Sequence, residues 1–239
     1  MAQAGKGGFA VQGLIRRGWR ILWRTLLVLA LLPPMMMVIY SVVPPPVTPL
    51  MLIRLAEGET LEKSWRPLEE IDPDLVFSVV ASEDSRFCTH YGFDFVELGN
   101  AVSDWMDGGP RRGASTISMQ LARNLLLWPG GGLIRKGAEA YVTLWQELIL
   151  SKRRILELYL NVVEWAPGAY GAEAAAQRHF GTSANALDRR QAALLAVTLP
   201  SPRRYDPARP TAFLSEQAGT VAARARTLGG ELSDCFQGT

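Results

Sequence analysis

The chain has 239 residues, 48% hydrophobic and 20% charged, with 25 Lys and Arg against 23 Asp and Glu. This composition excludes a disordered chain, while two cysteines and two histidines exclude a disulfide-dense scaffold and a histidine-rich metal site. The net charge of +2 is local: residues 1–24 hold five basic residues and no acid, so residues 25–239 hold 20 basic against 23 acidic, a net −3. A mildly acidic globular part argues against nucleic acid as a partner.

The first predicted element is an uncharged stretch at residues 25–43. As a helix rising about 1.5 Å per residue it spans roughly 28 Å, close to the ~30 Å hydrocarbon thickness of a bilayer. A cleaved signal peptide and a buried core helix are the alternatives. However, the apolar run continues past Pro33 and Pro34 without a small-residue cleavage site, and its flank is entirely basic. The stretch therefore predicts a single transmembrane anchor, with residues 1–24 as a cytoplasmic tail and the rest on the periplasmic side of a bacterial inner membrane.

Prolines at positions 44, 45, 46 and 49 open the segment 44–59, which is predicted to form a stiff spacer between anchor and domain. Residues 60–205 are predicted to form the outer domain, and residues 206–239 a C-terminal tail that is helical and packs on it. Apolar spacing and helix-end signals predict helices over 95–106, 115–127, 134–150, 151–163, 173–180 and 189–199. Few runs alternate as strands do, so the fold is predicted to be mainly α.

Glu83 is the first candidate functional residue, because it ends the apolar run 75–82. A partly desolvated carboxyl group there has a raised pKa and suits a general base or acid near neutrality. An exposed charge at a helix end is the simpler interpretation of an isolated glutamate. Acids, an aromatic ring, an imidazole and a glycine follow closely: Asp84, Phe87, His90, Gly92 and Asp94. This mixture favours a functional cluster.

A second cluster surrounds the start of the predicted helix 115–127. The hydroxyl residues Ser115 and Thr116 lie beside first-turn N–H groups, which can bind an anion. Gln120, Arg123 and Asn124 then share one helix face. An arginine on a face above a helix amino terminus predicts a phosphate or pyrophosphate site. On spacing alone, an ordinary capped amphipathic helix is equally consistent.

A third cluster consists of Arg135, Lys136 and Glu139. The spacing of Arg135 and Glu139 is that of an ion pair along a helix, which contributes only about 0.3–0.5 kcal/mol. The alternative is that Glu139 provides a second carboxylate to complement Glu83, as in sites where two acids act at one glycosyl centre.

Four motifs occur in order: Glu83-Asp84-x-x-Phe87-x-x-His90-x-Gly92-x-Asp94, Gly113-x-Ser115-Thr116-Ile117-x-x-Gln120-x-x-Arg123-Asn124, Arg135-Lys136-x-x-Glu139 and Ile155-Leu156-x-x-Tyr159-Leu160-Asn161. With them, residues 60–205 resemble the peptidoglycan glycosyltransferases (glycosyltransferase family 51). One membrane span and no room for a transpeptidase are typical of the monofunctional members. The resemblance implies a lysozyme-like helical glycosyltransferase domain behind a single N-terminal transmembrane helix.

The resemblance also implies a reaction and roles for the candidate residues. Glu83 would be the general base that deprotonates the 4-hydroxyl of the acceptor lipid II. That oxygen would attack the lipid-linked end of the growing strand, with inversion and release of undecaprenyl pyrophosphate. Glu139 would take the second acidic role, assisted by a divalent cation (Mg²⁺ or Mn²⁺) and no organic cofactor. The substrate and its pyrophosphate would be bound by seven residues: Ser115, Thr116, Gln120, Arg123, Asn124, Arg135 and Lys136.

The implied partners are lipid II, the lipid-linked glycan strand, the membrane, and other proteins of cell-wall synthesis and division. Four positions depart from the family pattern: Met119 replaces a glutamine, Arg123 a lysine, Gly131 an arginine and Ala166 a glycine. The cation missing at Gly131 keeps open a weakly active enzyme or a non-catalytic scaffold. A helical domain with a catalytic glutamate keeps open a lysozyme-like glycan hydrolase.

Cys88 and Cys235 lie 147 positions apart. In an oxidising compartment they could form a disulfide, but the sequence leaves this open because only the Cα separation decides it.

Overall fold

The computed structural model describes residues 6–109 and 113–237, so residues 1–5 of the predicted cytoplasmic tail and residues 238–239 of the predicted C-terminal tail lie outside it. The helices are α1 (Lys6–Tyr40), α2 (Pro49–Ala56), α3 (Pro73–Glu83), α4 (Phe95–Met106), α5 (Ile117–Leu126), α6 (Gly132–Ile149), α7 (Lys152–Val162), α8 (Ala172–Phe180), α9 (Arg189–Thr198) and α10 (Ala212–Gln237). Two short 3-10 helices cover Leu68–Glu70 and Phe87–Thr89. The mainly α fold behind one apolar N-terminal helix is thus confirmed.

Helix α1 contains the predicted anchor. Among the described residues, the stretch Gly13–Tyr40 is long and apolar enough to cross a membrane. Most side chains of this stretch are exposed, but Pro33 and Met37 are buried where α1 packs against α6. The Tyr141 hydroxyl of α6 donates to the Ala30 carbonyl at 2.6 Å, and Arg154 Nε donates to the Tyr40 carbonyl at 2.8 Å. The last three turns of the apolar helix are therefore attached to the domain.

The segment predicted as a spacer also lies on the domain. Thr48 caps α2 by accepting from the Met51 amide at 3.4 Å, and Pro49 occupies the first turn, where its missing N–H costs nothing. Met51 is fully buried, and α2 packs against α5. Lys63 Nζ donates to the Pro46 carbonyl at 3.0 Å. Half of residues 44–59 therefore forms a helix that packs on the domain. The helix start at Thr48 and Pro49, with the apolar residues that follow, outweighs the preference of the prolines for an extended backbone.

The core lies around α3, whose apolar residues Leu75, Val79 and Val80 are fully buried. Helices α9 and α10 pack against α3, and α5 packs against α6 and α7. A small sheet of β1 (Glu62–Lys63), β2 (Glu164–Ala166) and β3 (Ala169–Tyr170) has the order β1-β3-β2, with β1 parallel and β2 antiparallel to β3. The C-terminal end of α3 and the start of α5 meet at one side of this core.

Cys88 and Cys235 form a disulfide, with Cα atoms 6.1 Å apart. Cys88 belongs to the 3-10 helix that follows α3, and Cys235 lies in the last turn of α10. The bond therefore joins the segment directly after Glu83 to the C-terminal helix.

Candidate active site

The candidate site surrounds a cavity of about 430 Å³, here called the Glu83 cavity. Its walls come from the end of α3, the loop before α5, the start of α4 and one side chain of α10. The first two motifs of the sequence analysis converge there, since both Glu83 and Asp84 and the hydroxyl residues Ser115 and Thr116 line it.

A chain of hydrogen bonds orients Glu83. Gln120 Nε2 donates to Glu83 Oε2 at 2.9 Å, and the Tyr159 hydroxyl donates to Gln120 Oε1 at 3.0 Å. Tyr159 is fully buried, and burial holds its pKa well above the ordinary tyrosine value, so the hydroxyl keeps its proton. Because the Gln120 carbonyl accepts from Tyr159, its amide group faces Glu83.

Burial affects both the second oxygen of Glu83 and the pKa of its carboxyl group. Oε1 is buried and has no hydrogen-bond partner among the described residues. Burial raises the pKa of the Glu83 carboxyl above its ordinary value, and the nearby Asp84 charge adds to this. The Gln120 hydrogen bond and the Arg123 charge oppose the shift. A carboxylate with one fixed and one unpaired oxygen, and with a raised pKa, has the properties of a general base.

Asp84 has a different environment from its neighbour. Its Oδ1 lies 2.9 Å from His90 Nε2, and its Oδ2 accepts from the Ile117 amide at 2.9 Å. Both oxygens are therefore used within the protein. Asp84 fixes the start of α5 relative to the end of α3, which keeps Gln120 within reach of Glu83.

Gly92 and Thr116 fix the loop between these elements. The Thr116 hydroxyl donates to the Gly92 carbonyl at 2.6 Å and also accepts from the Met119 amide at 3.2 Å. Gly92 has φ +82°, and a Cβ there would lie 2.6 Å from Thr143 Cγ2. A side chain at position 92 would thus collide with α6, which explains a glycine in the first motif.

The remaining residues of the first motif also have structural partners. Phe87 is fully buried with its ring edge-on to His90. Asp94 caps α4 by accepting from the Glu97 amide at 2.9 Å, and it pairs with Arg86 at 3.1 Å. Phe87, His90 and Asp94 therefore support the cavity wall.

The start of α5 differs from the anion cradle that the hydroxyl residues predict. The Ile117 amide is bound by Asp84 and the Met119 amide by Thr116, so two first-turn amides are already occupied by protein acceptors. Asn124 is buried and its amide donates to the Gln120 carbonyl at 2.9 Å, one turn back on the same helix. Of the three residues predicted to share one helix face, Gln120 and Asn124 are used within the protein, and Arg123 is the charged one.

Cations gather around Glu139. This carboxylate is 1% exposed and pairs with Arg135 and, at 2.9 Å, with Lys136 Nζ. Lys136 Nζ also donates to the Ser115 hydroxyl at 3.1 Å. Burial, followed by the charges of Arg123 and Arg135, lowers the pKa of Lys136. The three cations are thus close enough to repel one another, and one buried carboxylate holds two of them in place.

Gly131 forms the start of α6 with φ +89°. A Cβ there would lie 2.9 Å from Arg135 Cβ and 3.0 Å from Trp128 Nε1. An arginine at this position would therefore strain the backbone and press on Arg135. The departure from the family pattern at Gly131 is thus coupled to a local backbone that requires glycine.

Two groups of residues are candidates for binding a divalent cation. Asp84, His90 and Asp94 each offer a ligand atom, all within 4.8 Å of one another, so this cluster could bind a metal ion. The two carboxylates already have partners, Asp84 in His90 and a backbone amide and Asp94 in Arg86, whereas His90 Nδ1 has none among the described residues. Glu139, where the resemblance implies the cation, is a single carboxylate held by two basic side chains. The donor set around Glu139 therefore does not fit Mg²⁺ or Mn²⁺, which need several oxygen ligands.

Two residues at the site were not assigned a role from the sequence. Tyr159 occurs in the fourth motif, but only its hydrogen bond to Gln120 shows what it does. Arg224 of α10 lines the Glu83 cavity although it lies 141 positions after Glu83. Local spacing carries no signal for such a contact.

Comparison with known proteins agrees with this geometry. A family model described as Transglycosylase matches residues 51–226. The chain is 53% identical over 180 residues (75% of this chain, 78% of the relative) to the biosynthetic peptidoglycan transglycosylase of Rhodospirillum centenum. It is 48% identical over 207 residues (86% and 92%) to that of Brucella suis, and 43% identical over 218 residues (90% and 94%) to that of Caulobacter vibrioides. The helical domain is consistent with the lysozyme-like fold that the resemblance implies. The chain therefore belongs to the family of the biosynthetic peptidoglycan transglycosylases, which are glycosyltransferase enzymes.

Proposed function

We propose that this enzyme polymerises lipid II into glycan strands, with Glu83 as the general base and with inversion at the reacting anomeric carbon. The observation that carries the proposal is the unpaired, buried Oε1 of Glu83, in a carboxylate whose other oxygen is fixed by Gln120. A hydroxyl group that enters the Glu83 cavity finds there a base of raised pKa and a defined direction of approach.

In the proposed reaction the 4-hydroxyl of the acceptor lipid II gives its proton to Glu83. Its oxygen forms a bond to C1 of the sugar at the lipid-linked end of the growing strand. The bond from C1 to the pyrophosphate oxygen breaks, and undecaprenyl pyrophosphate leaves. Attack from the face opposite the leaving group inverts the configuration, and base catalysis of this kind contributes about 10²–10⁴-fold to the rate.

The departing pyrophosphate accumulates negative charge, and Arg123, Arg135 and Lys136 are the groups proposed to stabilise it. Lys136 is in hydrogen-bond contact with Ser115, which also lines the Glu83 cavity, so the cations lie beside the base. Preorganised charges of this kind are a large contribution to catalysis. Glu139 is proposed to act through Arg135 and Lys136, which it holds in place.

A lipid-linked substrate agrees with the apolar surface of the protein. The side chains of Phe95 and Met106 on α4 are 74% and 77% exposed, and Leu133 and Ile134 at the start of α6 are 91% and 82% exposed. Exposed apolar groups on the same chain as a candidate membrane helix suit contact with lipid. We place the enzyme in the bacterial inner membrane.

The orientation proposed is residues 1–24 in the cytoplasm and the catalytic domain, residues 60–205, in the periplasm. The basic residues before the apolar stretch support this orientation. The Cys88–Cys235 disulfide supports it independently, because disulfides persist in oxidising compartments such as the periplasm.

Purified full-length protein in detergent is expected to extend lipid II into polymer, visible as a ladder of glycan strands on a gel. Cleavage of preformed glycan without polymer formation would establish the hydrolase alternative. Absence of both activities in folded protein would contradict an enzymatic role and leave the scaffold alternative. Other proteins of cell-wall synthesis and division are proposed partners, and their effect is measured as a change in polymerisation rate on addition.

The pH dependence of polymerisation is expected to follow Glu83. Only the carboxylate form accepts a proton, and burial raises its pKa from the ordinary value of 4.5. The rate at saturating lipid II should therefore fall with decreasing pH at a value above the range of an exposed glutamate. The stability effect has the opposite sign: the folded state binds this proton more tightly than the unfolded chain. Hence this group's contribution to the free energy of unfolding decreases as pH rises between the unfolded and folded pKa values. A rate that stays constant down to pH 4.5 would contradict the assignment.

A further inference from the structure

Arg224 lies in the wall of the Glu83 cavity, on a helix outside all four motifs. The lining is otherwise acidic, with Glu83, Asp84, Asp94 and Glu97. Arg224 is the one basic residue among the lining residues that the structure describes. Within this lining, Arg224 is therefore the group that attracts an anionic ligand.

The position of Arg224 is well defined. Its neighbours on α10, Val221 and Ala225, are buried where that helix packs against α3. Arg224 NH1 donates to the Ala81 carbonyl at 3.2 Å. Ala81 belongs to the last turn of α3, where the helix dipole attracts a cation, and it lies two residues before Glu83.

Most of the guanidinium group is available to a ligand. A guanidinium carries five N–H donors in a planar fork, and the hydrogen bond to Ala81 is the one that the described residues accept. The side chain is exposed to solvent at the cavity. Such a group suits a phosphate or carboxylate, which it can bind through two parallel hydrogen bonds.

Lys136, one of the three cations proposed to bind the pyrophosphate, does not line the Glu83 cavity. Lys136 lines a neighbouring cleft of about 250 Å³ with apolar residues that include Phe95 and Met119. Asp94, Ala114 and Ser115 line both this cleft and the Glu83 cavity, so the two adjoin, with Lys136 in one and Arg224 in the other. With the departing pyrophosphate proposed on the Lys136 side, Arg224 is the basic group that the acceptor would meet in the Glu83 cavity.

We propose that Arg224 binds an oxyanion of the acceptor substrate and thereby directs its hydroxyl group to Glu83. This inference rests on the proposed function, in which the acceptor is lipid II. The oxyanion has two sources in that molecule, the pyrophosphate of the acceptor and the carboxylates of its stem peptide. Arg224 contacts the acceptor alone, so its loss affects acceptor binding more than turnover.

The test measures initial rates of elongation from preformed strands as lipid II concentration is varied. Arg224→Gln should raise the apparent KM for lipid II about tenfold, the usual effect of losing one charge-assisted contact, with kcat changed by less than about twofold. Arg224→Lys keeps the positive charge but not the planar fork of donors. Its apparent KM should therefore lie between those of the unchanged enzyme and Arg224→Gln. Arg226→Gln is the matched control, because Arg226 is exposed on the same helix and does not line the cavity. The fraction of folded enzyme changes kcat but not KM, so partial misfolding cannot imitate the result.

A second arm uses lipid II whose stem-peptide carboxylates are amidated. If Arg224 binds a carboxylate, amidation raises the KM of the unchanged enzyme and has no further effect on Arg224→Gln. If it binds the pyrophosphate, amidation affects neither enzyme, while Arg224→Gln keeps its raised KM. An Arg224→Gln KM equal to that of Arg226→Gln would overturn the inference. Failure of the unchanged enzyme to polymerise lipid II would instead overturn the proposed function.

Discussion

Glu83→Gln is expected to lower the rate of polymerisation by about 10²–10⁴-fold, the contribution usual for a positioned general base. The glutamine side chain has nearly the same shape but cannot take the proton from the acceptor hydroxyl. It also presents an amide to Gln120, whose own amide now donates to Glu83 Oε2. The measurement is the initial rate of glycan ladder formation at saturating lipid II.

The control for this variant is its thermal stability. The buried Oε1 of Glu83 has no partner among the described residues, and burial of the charge raises the pKa of the group. Removal of the charge should therefore leave the melting temperature unchanged or higher, as is common where an active site trades stability for function. Glu157→Gln is a matched variant, since Glu157 lies on α7, pairs with Arg154 and does not line the Glu83 cavity. Unchanged turnover in folded Glu83→Gln protein would remove Glu83 from the reaction.

Among the proposed changes, removal of the Cys88–Cys235 disulfide is expected to lower the free energy of unfolding most. Cys88 and Cys235 are 147 positions apart, and a loop of this length raises the free energy of unfolding by about 3–5 kcal/mol through the reduced entropy of the unfolded chain. For a chain of this size the melting temperature should fall by roughly 10 °C in the double variant Cys88→Ser/Cys235→Ser.

The same loss should follow from reduction. In detergent, the unchanged protein is compared with the double serine variant, each with and without a thiol reductant. The reductant should lower the melting temperature of the unchanged protein to that of the variant and leave the variant unaffected. Equal melting temperatures for the oxidised protein and the variant would show that the disulfide contributes no net stability.

Much of the helical framework could be predicted from local pattern. The predicted helix 95–106 coincides with α4, and α5 begins at Ile117, two residues inside the predicted 115–127, because Thr116 is the N-cap. These helices are amphipathic and end at capping residues, so nearest neighbours along the chain decide their limits. The helix α2 was missed because prolines suggested an extended spacer, although Thr48 and Pro49 form a recognisable helix start.

The contacts that make the site could not be predicted in the same way. Tyr159, Gln120 and Glu83 are joined by hydrogen bonds across 39 and 37 positions of sequence. Asp84 reaches the Ile117 amide across 33 positions. Such partners depend on how α3, α5 and α7 pack, and no periodicity records which side chains will face one another. Family resemblance pointed to Glu83 as a base, but its unpaired oxygen and oriented partner are properties of the packed structure.

The two bonds from the domain to α1, at Ala30 and Tyr40, have a mechanical consequence. A domain joined to its membrane helix only by a flexible linker would be free to change its distance from the bilayer and its tilt. Here the C-terminal turns of α1 pack on the domain, where Pro33 and Met37 are buried. The helix and the domain are therefore expected to move together. With α1 in the membrane, as proposed above, the mouth of the Glu83 cavity would be held at one angle to the lipid surface. In the proposed reaction, each lipid-linked sugar would then approach Glu83 from the same direction, and the growing strand would leave along one path.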